Sequence, residues 1–356
     1  MRYWYASISL MLLLFCIVGH AEEFQLLYKS PRAQAMGGAF TAVADDESAI
    51  YYNPAGLAGV SKILFHGLSA NIEVSNDAVN SYSDLSNALS NSGFSVLNNF
   101  MGKNIYARAQ ASSDFVFPGF GVSVLYDQQL GVSLKNKALP VLSIQRQNTY
   151  GVQAAFGVPV LTLRKKKGQL RFGLAGKYLF RSGGYQKVSL MELLTIDSKS
   201  MINQLNSSLG SGYGLDSGVQ FVYQIKKKLS LKSALAFKNI GDTSFSGTSS
   251  PIKSDLVFGL ASSYQSDDMV ATLAYDYSHI LDYADWRKKN HFGLELKFPL
   301  LSLYGGVNQV YLTYGAGVDL WFIKVMYLSY AEEQATLVNQ DPERRHLLHI
   351  TLKLEI

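Results

Sequence analysis

The chain has a single cysteine, Cys16, and it lies in the part that reads as a secretory leader. Arg2 gives that leader its positive charge, and residues 8–18 form an apolar core too short to cross a bilayer as a helix. Gly19-His20-Ala21 supplies small residues at the cleavage positions, so cleavage is expected after Ala21. Phe15 stands where a lipoprotein signal needs a small residue, which argues against lipidation at Cys16. Without the leader the chain has no thiol. Disulfides, thiolate nucleophiles and cysteine-held metals are excluded together, as suits passage through an oxidising compartment.

Long apolar runs are missing too. No stretch of about 18 apolar residues follows the leader, which excludes a bundle of membrane helices. Catalytic signatures are equally scarce, with no HExxH, Walker or GxSxG motif. One of the six histidines, His20, leaves with the leader. His346 and His349 are three apart, which on a strand puts them on opposite faces and forbids a shared metal. Ser278-His279 is the nearest approach to a hydrolase pair, but adjacent strand residues also face apart. No enzyme activity, cofactor or metal is expected. The formal charge of +5 falls by one with Arg2, and its basic clusters are Arg164-Lys165-Lys166-Lys167 and Lys226-Lys227-Lys228. Both are too short and isolated to make a nucleic-acid groove.

What the chain does have is period-two alternation. Leu348, Ile350, Leu352, Leu354 and Ile356 share one face of a strand, opposite His349, Thr351, Lys353 and Glu355. Phe292, Leu294, Leu296 and Phe298 alternate in the same way with His291, Gly293, Glu295 and Lys297. About 14 such segments follow one another, an even number as bacterial barrels have. They fall near 61–74, 104–117, 119–134, 140–158, 169–187, 212–225, 229–240, 253–264, 269–280, 290–298, 301–309, 311–320, 322–331 and 346–356. Longer connections follow odd segments (75–103, 188–211, 241–252, 281–289, 332–345), and short turns follow even ones. That is the asymmetry of outer-membrane barrels, long loops outside and short turns in the periplasm. It places the lysine runs on periplasmic turns. Loops 77–101 and 190–209 carry enough spaced apolar residues for short amphipathic helices over the mouth. Alternation is broken at Asp127-Gln128-Gln129, a place, like Pro118-Gly119, where a strand is expected to kink.

Residues 30–60 do not alternate. Small residues dominate around Met36, Gly37, Gly38 and Phe40, an acidic triplet follows at Asp45-Asp46-Glu47, and Asn53-Pro54 signals a turn. Such a segment suits a crowded barrel interior, its acids capping a short helix or pairing with lumenal bases such as Arg108, Lys177 or Arg181. Arg108, Arg171, Lys177 and Arg181 all lie on the polar phase of their strands. Their charge serves either to bond a plug to the wall or to receive the carboxylate of an amphiphile.

The stretch RAQAMGGAFTAVADDESAIYYNPAGLAG, placed just before the first strand, resembles the FadL-like outer-membrane barrels, including their PorV-type branch. HFGLELKFPLLSLYGGVN and the closing strand share the general texture of such barrels, whereas Ile356 departs from the usual terminal aromatic. The resemblance implies an all-β, 14-stranded antiparallel transmembrane barrel with an N-terminal hatch in its lumen. The expected divisions are a signal peptide at 1–21, a hatch at 22–60 and the barrel at 61–356. The expected function is passive uptake of hydrophobic or amphiphilic molecules, long-chain fatty acid-like, across an outer membrane whose lipids surround the protein. The alternative is a PorV-type barrel whose outer loops bind a protein partner in secretion or attachment. Met36, Gly37, Gly38, Phe40, Asn53 and Pro54 are the candidate gating residues.

Overall fold

The computed structural model describes residues 26–81, 101–135, 141–163, 167–189, 209–247 and 249–355. The expected leader at 1–21, residues 22–25 of the expected hatch, most of loops 77–101 and 190–209, residues 164–166 of the first basic run and Ile356 lie outside the described residues.

Fourteen strands make one closed antiparallel barrel. They are β1 Leu64–Ser75, β2 Asn104–Phe117, β3 Phe120–Lys135, β4 Val141–Thr162, β5 Gly168–Ser189, β6 Gly210–Lys226 and β7 Leu229–Lys238. The rest are β8 Asp255–Gln265, β9 Val270–Tyr277, β10 Asn290–Lys297, β11 Leu301–Asn308, β12 Tyr311–Leu320, β13 Ile323–Glu333 and β14 Pro342–Glu355. β1 closes on β14, so no edge is left unpaired at the seam. No helix among the described residues is long and apolar enough to cross a membrane.

Alternation decides which face is which. Leu348, Ile350, Leu352 and Leu354 are exposed outward, while His349 and Thr351 are buried in the lumen. Two rows of outward aromatics frame the apolar band. Phe65, Phe115, Phe117, Phe120 and Phe156 are exposed near the turn end of β1 to β4, and Tyr126 pairs with Tyr150, and Tyr150 with Phe180, higher up. Such girdles mark the two interfaces of a membrane-spanning barrel. Beyond the upper row, residues 141–149 and 181–189 continue paired along the strand for roughly 30 Å at ~3.3 Å per residue. β9, β10 and β11, of eight residues each, do not. The barrel therefore carries a tall wall on one side only.

β3 keeps its register through Asp127, Gln128 and Gln129, so the expected kink there is absent. The alternation fails because the strand leaves the apolar band and needs no greasy outer face beyond it. Pro118-Gly119 forms the turn between β2 and β3. The register shift nearest the seam lies instead in β1, between His66 and Leu68.

Candidate functional site

Residues 26–60 run inside the barrel from the loop end to the turn end. Pro31 opens the short helix Pro31–Ala35 at a position where its missing N–H costs nothing. Met36 then lies against the wall at Gly293, where an added Cβ would fall 2.5 Å from the Met36 carbonyl oxygen. Gly37 turns with φ +65°, in the left-handed region, and a side chain there would meet the Phe292 and Val307 carbonyls of the wall. The Gly37 carbonyl accepts from His291 Nδ1 at 2.9 Å, so Nε2 is left to accept from the Ser278 hydroxyl at 2.8 Å. The backbone amides of Phe40 and Thr41 both donate to Asp276 Oδ2, at 2.9 and 2.8 Å. Asn53 ends the helix Ala49–Tyr52 and caps the 3-10 turn Pro54–Gly59, its Oδ1 accepting from Ala55 N at 3.1 Å. Its Nδ2 donates to the Thr41 carbonyl at 3.0 Å, clipping two limbs of the plug together. The wall approaches this turn so closely at Gly218 that a Cβ there would collide with Asn53 Oδ1. Gly157 and Gly173 admit Pro54 and Ala55 in the same way on the neighbouring strands. Lumenal glycines across the sheet thus make room for a second layer of backbone.

Two ionic clusters lock the plug. Arg32 donates a bidentate pair to Glu295, Nε to Oε1 at 2.7 Å and Nη2 to Oε2 at 2.6 Å. Its Nη1 reaches Asp45 at 2.7 Å and Asp46 at 2.8 Å. At the barrel seam, Lys29 Nζ donates to Glu332 at 3.0 Å and lies 3.6 Å from Glu73. Arg345 binds Glu73 at 3.3 Å and Glu332 at 3.1 Å, and also pairs with Glu343. Its guanidinium stacks 3.6 Å from the Tyr106 ring. β1, β2, β13, β14 and the plug therefore share one buried network.

The expected lumenal bases are all in the interior, with unequal roles. Arg108 binds Asp127 at 2.5 Å and the carbonyls of Leu26 and Leu27 at 3.1 and 3.2 Å, tying the plug to the wall. Arg171 donates to Gln220 at 3.0 Å and packs against Gly59 of the plug. Lys177 is held by Asp216 at 2.7 Å, a pair within the wall. Arg181 donates to Thr149 at 3.0 Å and to the Ser250 carbonyl at 3.0 Å, fastening the loop between β7 and β8. The acidic triplet pairs with bases, but not with Arg108, Lys177 or Arg181. Asp45 and Asp46 take Arg32 of the plug itself, Asp45 also faces Lys232 at 3.5 Å, and Glu47 lies 3.7 Å from His66. Ser278 finds a histidine, though it is His291 on the adjacent strand rather than His279. The cavity beside that pair, between plug and wall, is only about 50 Å³, room for a water or two. His346 bonds Tyr327 outside while His349 bonds Asn71 inside, as their odd spacing requires.

Sequence reading missed a large open space among the described residues. A vestibule of about 630 Å³ opens at the loop end, backed by the tall wall of β3, β4 and β5. Lumenal positions on those strands supply Gln129, Gln145, Gln147 and Lys187, and the plug supplies Leu26 and Lys29 as part of the floor. The polar run after Asp127 was the available signal.

These features define a class: a closed 14-stranded barrel of the membrane-spanning type with its N-terminal segment packed in the lumen. No family model and no curated protein matches the chain. Solved structures do. The chain is similar to the CymD monoaromatic hydrocarbon channel at 11% identity, over 94% of this chain and 99% of that one, with a TM-score of 0.51. It is similar to the Pseudomonas putida toluene transporter TodX at 11% identity, over 94% and 99%, with a TM-score of 0.50. At this identity the likeness establishes the fold alone, a 14-stranded barrel of the architecture that the N-terminal resemblance led us to expect.

Proposed function

We propose that the protein is a passive channel for hydrophobic or amphiphilic small molecules, delivered to an outer membrane by a cleaved leader at 1–21. Its loop end faces outside, lipids surround its apolar band, residues 22–60 act as the hatch, and it is not an enzyme. The observation that carries this reading is that Leu26 and Lys29 of the plug line the vestibule. A ligand collected there touches the very segment that must move to let it through. Met36, Gly37, Gly38, Phe40, Asn53 and Pro54 are the gate, because they make the close backbone contacts that displacement would break. The names of the two similar structures support a hydrophobic cargo, and a fatty acid-like one is the finer form of the same reading.

Gly38→Trp tests it. Gly38 has φ +85° and a Cβ there would lie 2.9 Å from His291 Nδ1, so a large side chain displaces the plug. Altered ligand uptake by an assembled Gly38→Trp barrel is expected, and unchanged uptake sinks the gating idea. A PorV-type protein-binding role is the second reading. It is favoured by Tyr283 and Trp286, 90% and 67% exposed on the loop between β9 and β10. A stoichiometric protein recovered with the detergent-extracted barrel, and no co-purifying lipid, would favour it over transport.

A further inference from the structure

The vestibule sets Leu26, Ile105 and Val132 beside many polar groups, a lining that suits an amphiphile better than a plain hydrocarbon. Its wall is built from Gln129, Gln145, Gln147, Ser133 and Ser143, amide and hydroxyl groups on successive lumenal positions of β3 and β4. A neutral apolar ligand would strip water from these groups and return no hydrogen bond. The cations of the floor are already taken, since Lys29, Arg108 and Arg345 are paired with Glu73, Glu332, Glu343 and Asp127, which leaves the carboxylate of an acidic ligand to the rim. One open polar group among the described residues faces the cavity from Tyr106. Tyr106 lines the vestibule and its ring is packed by Arg345 and Lys29. Its buried hydroxyl has no hydrogen-bond partner among the described residues. The rim is basic. Lys187 Nζ lies 5.4 Å from the centre of the Tyr185 ring, and both residues face the cavity.

Amide side chains in rows, an exposed tyrosine ring and a cation above it form a surface for a polyhydroxylated ring bearing an anionic group. We propose that the vestibule binds acidic sugars of the uronic-acid type, with ring hydroxyls on the glutamine wall and Tyr106 and the carboxylate at Lys187. This rests on the channel reading only in that it names the head of the amphiphile taken up; the binding itself does not require transport. The volume, about 630 Å³, lies within the usual range for small-ligand sites. The sugar arrives either free or as the head of an amphiphile.

The test uses the full chain in lipid nanodiscs and measures saturation-transfer NMR and titration affinity for four soluble probes: octyl glucuronide, octyl glucoside, octanoate and toluene. The glucuronide is expected to bind about three- to fivefold tighter than the glucoside, and tighter than octanoate. Lys187→Ala, at an exposed site, should make glucuronide and glucoside equal within about 1.5-fold. Gln145→Leu and Tyr106→Phe should weaken both sugars and leave octanoate unchanged. Octanoate or toluene binding as tightly as the glucuronide overturns the proposal, and so does an unaltered ranking in Lys187→Ala. Methyl glucuronide separates the sources: affinity equal to the octyl compound assigns a free sugar, and weaker affinity assigns an amphiphile, both upholding the sugar site. Glucuronide binding without uptake into liposomes would remove the channel reading and keep this one. Toluene uptake without glucuronide binding would do the reverse.

Discussion

Arg32→Ala attacks the plug where its anchorage is most concentrated. The guanidinium serves three carboxylates, and they differ in their access to water. Glu295 has a side chain 2% exposed, whereas Asp45 is 42% and Asp46 22% exposed. Loss of Arg32 therefore leaves one fully buried carboxylate without its partner, while the other two can be solvated. Breaking a buried pair from one side costs about 3–5 kcal/mol. Glu295 sits on the barrel and cannot leave, so the penalty is relieved only when the plug withdraws and admits water. Taking about 3 kcal/mol, the docked-to-undocked ratio falls on the order of 100-fold. The seam network and the Asp276 contacts remain, so the barrel itself should keep its wild-type heat-modifiability. The assay is single-channel conductance in planar bilayers. Arg32→Ala should open far more often than wild type. Arg32→Lys should lie between, because it keeps the charge and loses the fork. Removing the stranded carboxylate as well, in Arg32→Met with Glu295→Met, should restore a quiet channel. Wild-type conductance from a correctly assembled Arg32→Ala barrel would refute the reasoning.

Two further outcomes follow from the geometry. Gly218→Val puts a side chain into Asn53 and should expel the Pro54 turn without disturbing strand pairing. A buried Ser48→Cys reporter, the lone thiol of residues 22–356, should then react with a water-soluble maleimide at least tenfold faster; an unchanged rate in an assembled barrel would contradict this. The second outcome concerns pH. Asp285, on the outer loop between β9 and β10, is held at about 2 by hydrogen bonds from the Arg287 side chain, which prevail over burial, and from the Arg287 and Val338 amides. A depressed carboxyl stabilises the loop fully above its ordinary value of 3.8 and loses that contribution as pH falls through about 2. Emission from Trp286 in a Trp321→Phe background should stay flat from neutrality to about pH 4 and shift only below it. A transition between about pH 5 and 7 would mean other groups govern the loop.

The barrel was legible because membrane and lumen impose opposite polarity on alternate residues, and that pattern is written locally in each strand. It blurred where the apolar band ends. β14 begins at Pro342 rather than near 346, since Glu343 and Arg345 read as loop residues yet are buried in the seam network. β4 runs on to Thr162 through residues 159–162, which are exposed without alternation. The plug was legible as a motif and a position. Its partners were not, because Arg32 and Glu295 are 263 residues apart in sequence and no local period connects them. The acidic triplet was expected to cap a short helix or to pair with distant lumenal bases: Asp46 does accept from Ser48 N just before the helix Ala49–Tyr52, but the guanidinium that Asp45 and Asp46 share lies on their own segment. The vestibule was hidden for a related reason: its glutamines come from separate strands and converge only when the barrel closes.

The central claim is that the plug must move for cargo to pass, and the absence of cysteine from residues 22–356 allows a direct test. A Cβ at Gly315 would lie 3.2 Å from the Ala35 Cβ, close to the ~3.5–4.5 Å spanned by a disulfide. Ala35→Cys with Gly315→Cys therefore staples the helix Pro31–Ala35 to β12. Uptake into liposomes is measured on the same preparation, oxidised and then reduced. The account predicts uptake abolished by the staple and recovered on reduction, with the single-cysteine variants indifferent to either treatment. Equal uptake in the stapled and reduced states would contradict it.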